Sequence, residues 1–161
     1  MAGKIRIGVV GAKVKGTWSA RAHLPALQSH PDFELTAVCT TKPDTAEAAR
    51  AHFGARLAFD DYRKMAASPE IDAVAVVVRV PLHADPVKAA LEAGKHAYCE
   101  WPLARNTDEA IELTKLAKSK GVVGVRAAGD RFLGILSLEA NASNWPKADV
   151  PKTRSMSAFT E

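Results

Sequence analysis

The amino-acid sequence predicts an α/β fold, a doubly wound parallel sheet with helices on both faces. Segments with the patterns of strands and helices alternate over residues 5–125, which is the order of βαβ units. Residues 71–78 form an apolar run rich in valine, as expected of a strand that is buried on both faces. Crossover helices of this kind return each strand parallel to the one before it. The 161 residues provide enough chain for one such domain.

The first half of the chain contains two strands and two helices in this alternation. Residues 5–10 are apolar and predict the first strand, and residues 17–28 carry apolar side chains at helical spacing. Residues 33–39 alternate and then become apolar, which predicts the second strand. Residues 44–53 are rich in alanine and predict a helix with Asp44 as its N-cap.

The second half continues the alternation. A short apolar segment, residues 55–59, precedes Asp60 and Asp61, which are placed to cap a short helix before the strand of residues 71–78. The remaining elements are, in chain order, a helix over residues 84–93 ended by Gly94, a strand over 96–99, a helix from Asn106 or Thr107 to Lys120 ended by Gly121, and a strand over 122–125.

Composition and charge exclude several classes of protein. Hydrophobic residues make up 47% and charged residues 25%, as in ordinary globular proteins. The net charge of +4 is spread along the chain, whereas nucleic-acid binding requires a clustered basic surface, so we expect no direct contact with nucleic acid. The apolar runs are far shorter than a membrane span, and the N-terminus lacks the pattern of a signal peptide. These observations predict a cytoplasmic protein without a membrane partner.

The two cysteines have neither a CxxC spacing nor the spacing of metal ligands. Cys39 and Cys99 each lie near the end of a predicted strand, and we favour two buried reduced thiols over a disulfide. Since no histidines or carboxylates have metal-ligand spacing either, no metal site is expected.

A glycine-bearing turn follows the first strand, where a doubly wound sheet binds the pyrophosphate of a dinucleotide. Backbone N–H groups and the positive end of the next helix point at the anion there, and glycine permits close approach. Two lysines beside a helix N-terminus repel it unless an anion or solvent screens them, which favours binding over a ligand-free packing turn. The predicted binding residues carry the first and third glycines of a G-x-G-x-x-G pattern: Gly11, Ala12, Lys13, Val14, Lys15 and Gly16.

The residues after the second strand indicate which nicotinamide cofactor is bound. NAD-specific domains place a carboxylate there to bond the ribose 2′-hydroxyl, and a 2′-phosphate requires that the carboxylate be absent. Thr40, Thr41 and Lys42 occupy this position, and they supply two hydroxyls and a cation. We therefore favour NADP(H) over NAD(H), with a polar loop and NAD(H) bound without the carboxylate as the alternative.

Two further segments carry a family resemblance, residues 23–27 (HLPAL) and residues 98–104 (YCEWPLA). With the glycine turn, they resemble the N-terminal Rossmann domain of the glucose–fructose oxidoreductase/inositol dehydrogenase (Gfo/Idh/MocA) family over residues 5–125. Within that family, the basic glycine-poor turn, Trp18 and the Glu-Trp pair resemble the branch that contains the fungal galactose-regulon repressor. His23 and His83 are the histidines expected nearest the cofactor cleft.

The resemblance implies several cofactor-contacting residues and one departure. Most enzymes of the family have a lysine after the glutamate, and that lysine touches the nicotinamide and the substrate. Trp101 stands there instead, and an indole offers one N–H and a stacking face but no ammonium. Most members also have T-P-N after the fourth strand, where this chain has V-R-V. By this resemblance the cofactor contacts are predicted to include Val78, Arg79, Val80, His83, Glu100 and Trp101, and no catalytic residue is assigned.

The family resemblance also implies a long helix and a large substrate domain after the Rossmann domain. Residues 127–161 resemble only the lead-in and first strand of that substrate domain, and residues 140–160 are rich in Ser, Asn, Pro and Lys. We therefore predict a cofactor-binding domain over residues 1–126 and an irregular tail over residues 127–161. A piece of a longer polypeptide and a truncated gene are both left open.

Three functions are compatible with these residues. The favoured one is an oxidoreductase domain that moves hydride between NADP(H) and a sugar-like or polyol substrate, since the cofactor carries that chemistry. The second is a non-catalytic regulator that senses a dinucleotide, which Trp101 favours. The third is a degenerate Rossmann scaffold that binds nothing. The sequence does not indicate whether the protein forms a homo-oligomer.

Overall fold

Six parallel strands form one sheet in the computed structural model, which describes residues 3–126. Across the sheet the order is β3-β2-β1-β4-β5-β6, and each neighbouring pair is parallel. This order reverses between β1 and β4, as in the Rossmann fold, and it confirms the predicted doubly wound sheet. In chain order the strands are β1 (Ile5–Val10), β2 (Phe33–Cys39), β3 (Leu57–Phe59), β4 (Ala73–Val76), β5 (His96–Cys99) and β6 (Gly124–Arg126).

The helices cover both faces of this sheet. In chain order they are a π-helical turn (Ser19–His23) that continues as α1 (Leu24–Ser29), then α2 (Pro43–Phe53), α3 (Tyr62–Ala67), a 3₁₀ turn (Val80–Leu82), α4 (Ala84–Glu92) and α5 (Thr107–Lys120).

Two apolar clusters form the core, one on each face of the sheet. The first contains Phe53 of α2, and the second contains Met65 of α3 and Leu91 of α4. Val9 belongs to the first cluster and Val10 to the second, because successive side chains of a strand point to opposite faces. Every residue of β4 is buried, as predicted for a strand covered on both sides.

The first helix departs from the continuous α-helix that residues 17–28 predict. Its first segment is a π-helical turn, in which the N–H of Leu24 donates to the carbonyl of Ser19. Pro25 follows directly and has no N–H to donate, so the regular pattern of hydrogen bonds cannot run through this position. The apolar spacing predicts a helical segment correctly, but the wider turn results from the proline.

Helix caps confirm two predictions and correct a third. The side chains of Asp61 and Asn106 accept hydrogen bonds from the N–H groups of Arg63 and Glu109, as expected of N-caps. Asp44 was predicted to cap α2, and that prediction is wrong. The helix begins at Pro43, because proline suits the first turn, and Asp44 lies inside that turn.

Strands β3 and β6 each begin two residues later than the sequence predicts. The preceding helices α2 and α5 end at Gly54 and Gly121, both in the left-handed conformation. The next N–H groups, of Ala55 and Val122, donate back to the carbonyls of Arg50 and Ala117. Ala55 and Val122 therefore belong to the helix endings, although the apolar pattern assigned them to β3 and β6. At β4 the ladder stops at Val76 rather than at residue 78, since its partner β1 ends opposite it at Val10.

An ion pair joins β1 to the segment before β4. Arg6 donates from Nε and Nη2 to the two carboxylate oxygens of Asp72, at 3.0 and 2.6 Å, and its backbone N–H donates to Oδ2 at 2.9 Å. The hydrogen bond from the Arg6 side chain holds the pKa of Asp72 below its usual value of 3.8. This stabilisation is therefore present above that pH and is lost as the pH falls through the lower value of the folded state.

Asp72→Asn is expected to lower the free energy of unfolding at neutral pH by about 1 kcal/mol, because the pair is partly exposed. Urea unfolding at neutral and acidic pH measures it, and the difference between parent and variant should vanish in acid. Glu47→Gln is the matched control, since Glu47 pairs with Arg50 on the exposed surface of α2 and its loss should leave the midpoint unchanged. A pH-independent effect of Asp72→Asn would contradict this account.

The predicted tail, residues 127–161, lies outside the described residues, so the proposed domain boundary stays a prediction. Within residues 3–126, no helix is long and apolar enough to cross a membrane.

Candidate functional site

The candidate site lies at the edge of the sheet where the parallel strands end. The segments that follow β1, β2, β4 and β5 all leave the sheet at this edge, and they contain every predicted site residue. In open α/β sheets, ligands bind outside the carboxyl ends of the strands, where the strand order reverses. Here that reversal lies between β1 and β4.

Gly11 brings the turn after β1 against the neighbouring strand. Its φ is +94°, in the region that favours glycine, and its N–H donates to the carbonyl of Cys39 at 3.0 Å. A Cβ atom at this position would lie 2.1 Å from the carbonyl oxygen of Val77. The turn therefore requires glycine here for both conformation and space.

The rest of the turn presents unused backbone donors to solvent. Within residues 3–126, the N–H groups of Val14, Lys15 and Gly16 donate to no other group of the protein. The hydroxyl of Ser19 stabilises the turn, because it donates to the carbonyl of Gly11 at 2.7 Å. With exposed lysine side chains beside these N–H groups, the turn suits an anion.

The structure divides the three predicted residues after β2 into one buried and two exposed. Thr40 is 6% exposed, and its hydroxyl lies 3.0 Å from the carbonyl of Lys42 and 2.6 Å from the hydroxyl of Thr45. The Thr40 hydroxyl is thus engaged within the α2 N-terminus, and its predicted contact with a cofactor phosphate stays a prediction. Thr41 and Lys42 are exposed at the same edge and remain available.

An open cleft of about 530 Å³ lies beyond the ends of β4 and β5. The structure brings six predicted residues together along it, Val78, Arg79, Val80, His83, Glu100 and Trp101. The glycine turn and the residues after β2 lie at the same edge but do not line this cleft. Trp18, His23 and Tyr98 also line it, although they were not among the predicted cofactor contacts. All three are part of the family resemblance: His23 and Tyr98 lie in its two segments, and Trp18 is shared with the repressor branch. This was the signal that could have identified them.

His23 and Glu100 link the first helix to the end of β5. The N–H at Nε2 of His23 donates to Oε1 of Glu100 across 3.0 Å, and both side chains are about a fifth exposed to the cleft. The ring of Tyr98 meets the His23 ring edge-on, with 5.7 Å between centroids. This pairing fixes the orientation of the imidazole and of the carboxyl group at the cleft.

Two indoles stand at the cleft with most of their surface exposed. Trp18 is 63% exposed and Trp101 is 59% exposed. Large exposed aromatic side chains in a cleft are typical of a ligand-binding surface, because burying them against a planar ring or an apolar sugar face is favourable. Neither indole can carry a positive charge or accept a proton.

The thiols and the tyrosine at this edge are protonated at neutral pH. Burial raises the pKa of Cys39 and of Cys99 to about 12, with contributions from nearby carboxylates. Burial and the Glu100 carboxylate also raise the pKa of Tyr98. Neither thiol is therefore a nucleophile, and Tyr98 offers an O–H rather than a phenolate. In the described part of the chain, no three His, Cys, Asp or Glu side chains are grouped so that they could hold a metal ion.

A family model describes this architecture. Residues 5–127 match the Gfo/Idh/MocA model, an oxidoreductase family with an NAD-binding Rossmann fold. The chain belongs to the Gfo/Idh/MocA family. This confirms the resemblance carried by the glycine turn and the two segments, and it confirms the nicotinamide dinucleotides as the cofactor class of the fold.

Relatives within the Gfo/Idh/MocA family include both enzymes and a regulator. The chain is 35% identical to the NADP⁺-dependent scyllo-inositol 2-dehydrogenase of Bacillus subtilis, over 80% of this chain and 38% of that protein. It is 32% identical to the galactose/lactose metabolism regulatory protein of Saccharomyces cerevisiae, over 75% of this chain and 30% of that protein.

A solved structure in the family supports the same fold. A 3-ketoreductase from Actinomadura kijaniata in complex with NADP superposes with a TM-score of 0.71 at 32% identity, covering 76% of this chain and 38% of that one. The matched part of the chain thus covers only 30–38% of the length of these three relatives.

Proposed function

We propose that this chain is the cofactor-binding domain of an NADP(H)-dependent oxidoreductase that acts on a sugar-like or polyol substrate. The observation that carries the proposal is the turn after β1, where Gly11 lies against Val77 and three N–H groups remain unused beside two lysines. These features form a cradle for pyrophosphate in a chain of the Gfo/Idh/MocA family. The dinucleotide supplies hydride chemistry, and this chain's residues bind and orient it.

The NADP(H) preference is supported by Thr41 and Lys42. Both are exposed at the end of β2, and no carboxylate occupies the position that would bond a ribose 2′-hydroxyl. A hydroxyl and an ammonium are the partners that a 2′-phosphate requires. The relative from Bacillus subtilis is described as an NADP⁺ enzyme, which supports the same choice.

Fluorescence titration of the purified chain is expected to show tighter binding of NADPH than of NADH. The difference should narrow at high salt, because salt screens the attraction between the phosphate and Lys42. Thr41→Asp should reverse the preference, since the new carboxylate repels a 2′-phosphate and accepts a hydrogen bond from the ribose. Thr41→Asn has the same size without the charge and serves as the control. Equal affinities of the parent chain for the two cofactors would contradict the NADP(H) preference.

A second candidate function is a dinucleotide-sensing regulator without turnover. Trp101 favours it, because an exposed indole replaces the ammonium that the family's enzymes place beside the nicotinamide. The yeast regulatory protein shows that the family includes regulators. Binding of NADPH without turnover in the full-length protein would support this candidate. Absence of any dinucleotide binding would instead support a scaffold role.

We also propose that this cofactor-binding domain works together with a substrate domain, because its relatives are nearly three times as long as the matched segment. The mass of the natural polypeptide tests this proposal. We further propose that the protein is cytoplasmic and that its substrate is a sugar or a polyol.

A further inference from the structure

His83 lies between the two segments that form walls of the cleft. One wall follows β4 and contains Val78 and Arg79, and the other follows β5 and contains Glu100 and Trp101, with Pro102 next in the chain. His83 immediately precedes α4, and it is only 1% exposed. An imidazole buried to this extent has to satisfy its polar atoms within the protein.

Both ring nitrogens of His83 contact backbone carbonyls, one from each wall. Nδ1 lies 2.8 Å from the carbonyl oxygen of Pro102, and Nε2 lies 2.8 Å from the carbonyl oxygen of Val78. Carbonyl oxygens only accept hydrogen bonds, so wherever one of these contacts is a hydrogen bond, a ring N–H of His83 is the donor. The ring therefore spans the gap between the two segments.

We infer that His83 is a positioning residue, a strut whose buried ring bridges the two cleft walls and holds them at a fixed separation. It acts through Val78 and Pro102, the backbone neighbours of Arg79 and Trp101, so the cleft-lining side chains depend on it although its own ring is buried. Loss of the ring leaves the two carbonyls without this partner and frees the walls to separate. The consequence for cofactor affinity rests on the proposed function, whereas the strut itself does not.

The spectroscopic test uses Trp101 as a reporter, since it is next to Pro102. Trp18→Phe and Trp145→Phe leave Trp101 as the sole indole among the three of the chain. In this background His83→Phe keeps a ring of similar size but donates no hydrogen bond, and we expect a shifted emission maximum and altered acrylamide quenching without cofactor. Leu91→Ala is the control: Leu91 is equally buried, lies on α4, which His83 immediately precedes, and packs in the apolar core. It should lower stability without changing Trp101 emission.

A measurement on the unsubstituted chain keeps the inference testable even if His83→Phe does not fold. Nitrogen-15 NMR should show a ring N–H of His83 that is protected from exchange with solvent, as expected of a buried donor. His83→Gln should restore only part of the Trp101 signal, because an amide reaches one carbonyl. In the otherwise unchanged chain, His83→Phe should weaken NADPH binding by about tenfold.

A ring N–H of His83 that exchanges with solvent as fast as that of an exposed imidazole, or Trp101 emission that is the same in His83→Phe and its parent, would overturn the strut. If Trp101 emission responds as expected but the parent chain binds no NADPH, the strut stands and the proposed function fails. An equal response of Trp101 emission to Leu91→Ala would reduce His83 to a general contribution to stability and would also overturn the inference.

Discussion

Gly11→Val is expected to abolish dinucleotide binding, with a loss of affinity for NADPH of more than about 100-fold. Even the first side-chain carbon would lie 2.1 Å from the Val77 carbonyl oxygen and 2.8 Å from a methyl carbon of Val78. The Val77 carbonyl belongs to the backbone that follows β4, and rotation of a side chain cannot move it aside. The turn itself therefore has to move. The φ of +94° adds strain, because a β-branched residue strongly disfavours positive φ. The N–H groups of the turn would then point away from the pyrophosphate.

Gly16 provides a matched control within the same turn. Its φ is also positive, at +76°, but a Cβ atom there would meet nothing within 4 Å. Gly16→Asn should therefore keep most of the affinity, because asparagine tolerates the left-handed conformation. Far-UV circular dichroism and NADPH titration of both variants and of Gly11→Ala separate loss of fold from loss of binding. Full affinity in a folded Gly11→Val variant would place the cofactor elsewhere.

The 161-residue chain is expected to bind dinucleotide without oxidising polyols or reducing sugars above background. Hydride transfer requires a substrate held against the nicotinamide and a group that handles the hydroxyl proton, and such a group contributes roughly 10²–10⁴-fold. The indole of Trp101 cannot take that role, and the raised pKa of Tyr98 keeps its hydroxyl protonated, so Tyr98 is no general base for the oxidation of an alcohol. The chain also spans little more than a third of its enzyme relatives, so most of the proximity advantage is absent.

The assay follows NADPH formation optically with inositol, glucose, xylose or galactose at high concentration. Gly11→Val serves as the background, because turnover that depends on bound dinucleotide has to disappear in it. Saturable turnover by the parent chain that is lost in this variant would contradict the expectation. It would mean that the tail or a second copy of the chain completes the site.

The fold was largely predictable because its signals are local. The strands β2 and β5 have the predicted bounds, and helix α5 begins after the predicted cap Asn106 and ends at Gly121. Each of these signals depends on residues within one or two turns of the chain. The misplaced starts of β3 and β6 follow from hydrogen bonds that end the preceding helices, where a capping pattern and a strand pattern compete for the same residue.

The candidate site was predictable as a set of segments but not as a set of contacts. The glycine turn and the residues after β4 and β5 were identified from their position after apolar strands, and parallel strand order brings them to one edge. Which side chains remain available there depends on partners far away in sequence. The hydroxyl of Thr40 is used within the start of α2, and the carboxylate of Glu100 is paired with His23, 77 residues earlier.

The sequence by itself determined the doubly wound sheet, the glycine that the first turn requires and the nicotinamide dinucleotides as the cofactor class. These follow from apolar periodicity, from the conformational range of glycine and from residue types in short segments. Only the tertiary structure decided that Thr40 is buried while Thr41 stays exposed at the end of β2, and that both ring nitrogens of His83 lie 2.8 Å from backbone carbonyls of the two cleft walls. Burial and hydrogen-bond partners result from the packing of segments that are distant in sequence, so they cannot be predicted from a local sequence pattern.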